Sequence, residues 1–300
     1  MEPQRSYLVC ATPRSGSTLV CEALKATGVA GKPEEYFEAL RQTGRPRSPV
    51  DYFRGVDDPS IFDHLGEHGS EGGQAQSPLW SRTAYDRYLE WTKEVGTTPN
   101  GVYGAKMMWM YFGDFVSLVR NVPEYKSVPL AELLHEVFPD LTFVRVQRAN
   151  KLRQAVSLWK AIQTATWRQE GDQTQADEGD AYARFSRENR TNLIFHYSAI
   201  DHLLNQLLAW EAAWDSFFAY TGIRPVLVLY ENFQRDIEGS TCNLLEQLGI
   251  EAPGDFSFEP RMKKQADNIN VDWARRYGEL KLGTSFDLVP TVPEAETAAA

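Results

Sequence analysis

The segment YLVCATPRSGSTLVCEAL, residues 7–24, sets the first constraint on the fold. Tyr7–Thr12 is a short apolar run with the character of a strand. Thr18–Thr27 reads as a helix, with Leu19, Ala23 and Ala26 able to share a face and Gly28 at its C-terminal stop. The same alternation recurs down the chain. Gly101–Met107 is a second strand, and Leu130–Val137 a helix ending ahead of Pro139. LTFVRVQ at 141–147 is a strand followed by a helical pattern through Trp159. Ile200–Thr221 is an amphipathic helix closed by Gly222, PVLVLY at 225–230 is a buried-type strand, and Thr241–Leu248 is a helix closed by Gly249. Strands alternating with helices define an α/β protein with a mostly parallel sheet. Near-continuous apolar strands fit a sheet covered on both faces.

No internal repeat or linker divides the chain, which reads as one domain over residues 1–285 with a long excursion at 32–100. Ser81–Val95 within the excursion is helix-like, while residues 41–80 are rich in Gly, Pro, Ser and Asp. Gln169–Asp180 is acidic and Gln-rich and reads as a loop, and residues 286–300 as a disordered tail. The net charge of −10 argues against a general nucleic-acid binder and against electrostatic attachment to an anionic membrane. No apolar run approaches the ~20 residues needed to cross a bilayer. Three cysteines without a CxxC or zinc-type spacing point to a reducing cytoplasm.

The turn at 13–18 is where chemistry is expected. A strand-to-helix turn presents unpaired backbone N–H groups at the positive end of a helix dipole, which is an anion site. Arg14 adds a permanent cation with a planar donor fork. Gly16 permits close approach of the backbone, and Ser15, Ser17 and Thr18 add hydroxyls. A plainly capped helix, with Ser17 as the cap, is the ordinary alternative. Position favours the anion site, because ligands of open α/β sheets bind beyond the carboxyl ends of strands. The turn lacks the second glycine and the lysine of a Walker A loop, and it is no G-x-S-x-G elbow.

PRSGST after the first strand resembles the 5′-phosphosulfate loop of sulfotransferases that use 3′-phosphoadenosine 5′-phosphosulfate (PAPS). RANKLRQAVSLWKA at 148–161 resembles their second signature, in which an arginine at a strand end and a serine on the next helix hold the 3′-phosphate. With GVAGKPEEYF at 28–37 and KKQAD at 263–267, the chain is similar to the bacterial trehalose 2-sulfotransferase family from about Tyr7 to Tyr277. Two positions depart from that family's pattern, which has Gln where Pro13 stands and Trp near Tyr52.

The resemblance implies a three-layer P-loop-like fold, PAPS as co-substrate, a small carbohydrate acceptor such as trehalose, and a homodimer. It implies a donor site of Pro13, Arg14, Ser15, Gly16, Ser17, Thr18, Arg148 and Ser157, with Lys264 and Gln265 closing over the nucleotide. It implies Glu35 as general base, since a carboxylate can take the proton of an acceptor hydroxyl. Arg14 and Lys106 are the expected cations at the leaving phosphate, although a snorkelling surface lysine is an equal reading of Lys106. Pro33, Glu34, Glu35, Tyr36, Phe37 and Tyr52 are the expected acceptor contacts. Tyr36, Phe37, Tyr52 and Phe53 could stack on a sugar, although core packing is the commoner fate of such aromatics, and it is the expected one for Trp159, Trp167, Trp210 and Trp214. His135, His196 and His202 are weaker candidates for the base. No metal cluster is visible, and the donor chemistry needs none. A kinase with a divergent phosphate loop and a non-catalytic PAPS- or sugar-binding protein are the rival functions.

Overall fold

A computed structural model describes residues 2–38, 48–65, 84–164, 193–258 and 268–283. Its centre is a parallel four-stranded sheet of β1 (Arg5–Ala11), β2 (Val102–Met108), β3 (Leu141–Gln147) and β4 (Val226–Leu229), in the order β2-β1-β3-β4. Val9 pairs with Lys106 on one side and Val144 on the other, and Val144 pairs onward with Val226. The helices are α1 (Ser17–Ala26), α2 (Tyr85–Gly96), α3 (Trp109–Val119), α4 (Leu130–Val137), α5 (Lys151–Thr164) and α6 (Tyr197–Thr221). A single turn α7 (Tyr230–Phe233), then α8 (Ile237–Gln247) and α9 (Asn268–Leu282) follow.

The apolar runs become strands because both faces of the central sheet are covered. Every residue of β2 is buried, as is every residue of β1 after Arg5. The exception is β4, an edge strand on which Leu227 and Leu229 are exposed, so PVLVLY is not the fully buried strand its composition suggests. On α1 the buried residues are Ser17, Val20, Cys21, Ala23 and Leu24, at helical spacing; Ala26 is exposed, so the packed stripe lies one position away from the expected face. The helix α3 follows β2 without a loop and was not anticipated. Its buried Tyr111, Phe112, Phe115 and Val119 carry a helical period that an almost wholly apolar segment conceals.

The described residues form two apolar clusters. The larger surrounds the sheet. The smaller joins Tyr52, Phe53 and Ile61 of the excursion to Trp159 of α5, Leu203 of α6 and Trp273 of α9. Phe53 meets the Trp159 ring edge-on at 5.7 Å, and the 3-10 turns Pro49–Phe53 and Pro59–His64 are the part of the excursion that makes this packing. The expected loop at 169–180, the tail at 286–300, Trp167 and Lys263–Gln265 lie outside the described residues.

The chain leaving α1 returns along the outer side of β2. Tyr7 donates to the Ala30 carbonyl (2.5 Å), and the Gly31 N–H donates to Thr98 Oγ1 (3.0 Å). Glu34 then bridges to Ala105 in parallel register, its carbonyl accepting from the Lys106 N–H (2.9 Å). Close approach at Gly31 makes this return possible: φ is +69°, and a Cβ there would lie 2.6 Å from the Gly104 nitrogen. Gly28 has a similar φ of +71° with open space around it. Gly28→Ala should therefore cost only the left-handed penalty, about 1–2 kcal/mol. Gly31→Ala should cost roughly 1–3 kcal/mol more, through the forced backbone shift. Urea denaturation of both variants measures the difference, and equal midpoints would refute the close-approach argument.

Candidate active site

The strand order reverses around β1: the chain moves from β1 to β2 on one side, then crosses to β3 on the other. A crevice opens beyond the carboxyl ends of strands at such a reversal, here β1 and β3. The loop after β1 carries Thr12–Gly16, and the loop after β3 carries Arg148–Asn150. The site is built from these two loops and the returning segment 32–37.

The first loop is unusually bent. Arg14 holds φ = +62°, which a side chain with a Cβ adopts only under constraint, and Gly16 holds φ = +91°. Gln154 of α5 supplies part of that constraint, donating from Nε2 to the Pro13 carbonyl (2.7 Å) and to Thr12 Oγ1 (2.9 Å). Gly16 rather than Ser17 stands at the cap of α1, and no side chain caps the helix. The first-turn N–H groups therefore stay available to a ligand. Gly16 is required for space as well as torsion, because a Cβ would lie 2.1 Å from the Tyr230 ring. Ser15 is fully buried, and its hydroxyl has no partner among the described residues.

Two guanidinium groups converge on this loop. Arg14 donates from Nε to Ser157 Oγ (3.1 Å), and Arg148 donates from Nη1 to the Arg14 carbonyl (3.2 Å). The Arg148 guanidinium lies 5.1 Å from the centre of the Tyr230 ring, and its buried Nε has no partner among the described residues. Burial first, and then the neighbouring Arg148, pull Arg14 down to about 10. A guanidinium does not release its proton in the ordinary pH range. Burial and the neighbouring cation both disfavour the charge on Arg14, and a bound anion would relieve both.

A second cluster forms around Thr18 of α1. Lys106, only 1% exposed on β2, holds Glu35 Oε1 at 2.5 Å and reaches Thr18 Oγ1 at 3.2 Å. Tyr111 of α3 donates to Glu35 Oε2 (3.3 Å). Glu34 points away and pairs with Lys25 at 2.6 Å, as expected of adjacent residues on an extended segment. Lys106 is therefore no surface lysine: it is buried and held between Glu35 and Thr18.

Beneath the first loop is a buried charge node. Glu211 of α6 pairs with Arg145 of β3 (2.5 Å) and Lys151 of α5 (3.0 Å), and accepts from Thr12 Oγ1 (2.6 Å). The indole of Trp214 donates to the Ala11 carbonyl (3.0 Å) one turn further on. Sequence reasoning missed Glu211, Tyr111, Gln154 and Tyr230. A signal for Glu211 existed: it interrupts the otherwise apolar stripe Leu203, Leu207, Trp214, Phe218 of α6.

The expected site residues divide. Arg14, Arg148 and Ser157 meet at one end of α1, and Thr18, Lys106 and Glu35 at its side. Ser17 and Pro33 are buried. Tyr36 and Phe37 sit in the core: Phe37 packs at 4.5 Å against Phe115, and Tyr36 donates to the Lys32 carbonyl (2.7 Å). Their rings belong to the sheet cluster. Tyr52 is mostly buried, near enough to Arg14 to act on it electrostatically. His196 caps α6, accepting from the Ala199 N–H (3.2 Å), His202 meets the Tyr52 carbonyl (2.9 Å), and His135 packs on Phe143. Trp159 and Trp214 are core residues and Trp210 packs beside the smaller cluster. Lys264 and Gln265 lie outside the described residues. Cys10 and Cys21 are buried thiols, Cys21 pushed up to about 12 chiefly by burial, so neither is a ready nucleophile.

The family model of the Stf0 sulphotransferases matches residues 6–279. Trehalose 2-sulfotransferase of Mycobacterium tuberculosis is 32% identical over 274 residues, covering 91% of this chain and 94% of that protein. The protein of the same name from Mycolicibacterium smegmatis is 33% identical over 273 residues, with the same coverage. Among solved structures, a sulfotransferase from Alicyclobacillus acidocaldarius aligns over 95% of this chain and 98% of that chain, at 12% identity and a TM-score of 0.41.

The paired guanidiniums make one outcome measurable without any substrate. Inorganic sulfate well above its dissociation constant should raise the thermal midpoint by about 2–4 °C through linkage. Arg14→Ala should abolish that rise, and an undiminished rise in the variant would put the anion elsewhere.

Proposed function

The chain belongs to the Stf0 sulphotransferase family, and from that premise we propose that it transfers the sulfuryl group of PAPS to the 2-hydroxyl of trehalose. The family makes it an enzyme that moves a sulfuryl group from a donor to an acceptor. The choice of trehalose is supported by the two mycobacterial relatives at 32% and 33% identity. The observation that carries the donor reading is the meeting of Arg14, Arg148 and the orphaned Ser15 hydroxyl at the uncapped start of α1. Buried donors without acceptors cost about 1–3 kcal/mol each, and the oxygens of a phosphosulfate and a 3′-phosphate would satisfy them.

In this reading the acceptor oxygen attacks sulfur, and the bond from sulfur to the donor's phosphate oxygen breaks. The electron pair leaves with adenosine 3′,5′-bisphosphate, and the hydroxyl proton passes to Glu35. Arg14, Lys106 and the N–H groups of α1 stabilise the charge that builds on the leaving phosphate. Arg148 and Ser157 hold the 3′-phosphate. Lys106 touches both Glu35 and Thr18, so one cation links the base to the donor loop. A single domain over residues 1–285, a homodimer and a cytoplasmic location belong to the same proposal. The homodimer is supported by the resemblance, and the location by the cysteine usage. Among the described residues no helix is long and apolar enough to cross a membrane.

Mass spectrometry of trehalose incubated with the protein and PAPS tests the reaction directly; an unmodified sugar at full protein occupancy would overturn the acceptor. Glu35→Gln should lower turnover by ~10²–10⁴-fold while nucleotide affinity is kept. Glu34→Gln, whose carboxylate is turned toward Lys25, should lose far less. The protein should also prefer the bisphosphate over AMP by roughly ten- to a hundred-fold. Equal affinities in calorimetry would remove the 3′-phosphate assignment from Arg148 and Ser157.

A further inference from the structure

Glu35 is held at both carboxylate oxygens, and the two holders differ in kind. Lys106 takes Oε1 at 2.5 Å, but its ammonium is a point charge without the planar fork of a guanidinium, and it is shared with Thr18 Oγ1. Such a contact sets a distance and leaves the carboxylate plane free to turn. Tyr111 takes Oε2 at 3.3 Å. Its ring is 4% exposed, locked in the first turn of α3 directly behind β2, and so it approaches from a fixed direction. Its hydroxyl also stands 3.4 Å from the Lys106 carbonyl. One phenolic proton cannot serve both, and the charged acceptor is the stronger.

We propose that Tyr111 is a positioning residue for the reaction: it fixes the plane of the Glu35 carboxylate so that a lone pair faces the acceptor hydroxyl. This rests on the reading of Glu35 as the base. Burial, and then the adjacent Glu35 carboxylate, push the Tyr111 phenol well above its usual range, so it remains a donor throughout the working pH range. The lysine alone would leave the base at the right distance with the wrong aim, and misaimed groups cost rate rather than binding.

The test is Tyr111→Phe in the full chain, which removes one hydroxyl and keeps the ring. With PAPS and trehalose, kcat should fall about ten-fold, the loss of one hydrogen bond to a charged group. KM for both substrates, affinity for adenosine 3′,5′-bisphosphate and the thermal midpoint should stay within about two-fold or a few degrees of the parent. In a Glu35→Gln background the same change should cost nothing further, because the hydroxyl acts through the carboxylate. Wild-type kcat in Tyr111→Phe would overturn the proposal while leaving Glu35 as base. A second ten-fold loss in the Glu35→Gln background would overturn it too, by showing that the hydroxyl acts independently. A loss confined to KM and stability would make Tyr111 a packing residue. Full turnover in Glu35→Gln alone would remove the base itself, and the positioning role with it.

Discussion

The carboxylate of Glu211 is the contact on which the rest of the site depends. It lies under the turn after β1 and ties four elements together: β3 through Arg145, α5 through Lys151, the end of β1 through Thr12, and its own helix α6. A buried ion pair of this kind adds little net stability over a well-packed apolar pair, because desolvation offsets most of the attraction. Its effect here is geometric. Thr12 is the last residue before the turn, and the same Thr12 oxygen accepts from Gln154. The turn therefore starts from a point whose position is set by a charge that cannot move without stranding Arg145 in the core.

From that point the two halves of the site are built by different means. The arginine side is made by loops: Arg14 and Arg148 come from the turns after β1 and β3 and meet only because those strands are neighbours. The carboxylate side is made by a long return. The chain leaves α1, is tied to the core through Ala30, Gly31 and Tyr36, and lies along β2 so that Glu35 arrives beside Lys106. The buried aromatics of KPEEYF serve this return: Phe37 and Tyr36 anchor the segment, and the Glu35 carboxylate beside them is held by Lys106 and Tyr111.

Much of this was legible from the residues. The strand LTFVRVQ and the helix Leu130–Val137 stand where their apolar patterns put them, because both are bounded by residues that end an element sharply. The meeting of Arg14, Arg148 and Ser157 followed from motif and resemblance together. What escaped was of three physical kinds. Edge position is not written in a strand's own composition, so β4 looked buried. Partners distant in sequence are equally silent: Glu211 lies 199 residues from Thr12 and Tyr111 lies 76 from Glu35, and only topology brings them together. The aromatics at 36 and 37 illustrate a third limit, since residues that bind a ring and residues that fill a core look alike until burial is known.

The positive φ of Arg14 bears on whether this turn could be moved to another protein. The hexapeptide PRSGST is not a self-sufficient unit. Its bend is held from outside by Gln154 on the Pro13 carbonyl, by Ser157 on the Arg14 side chain and by Arg148 on the Arg14 carbonyl. A graft of the six residues onto a foreign strand and helix would relax toward ordinary torsions, and the arginine would swing away from the helix end. The smallest transferable module is the turn together with the first two turns of α5 and the loop ahead of it, two pieces of chain more than a hundred and thirty residues apart.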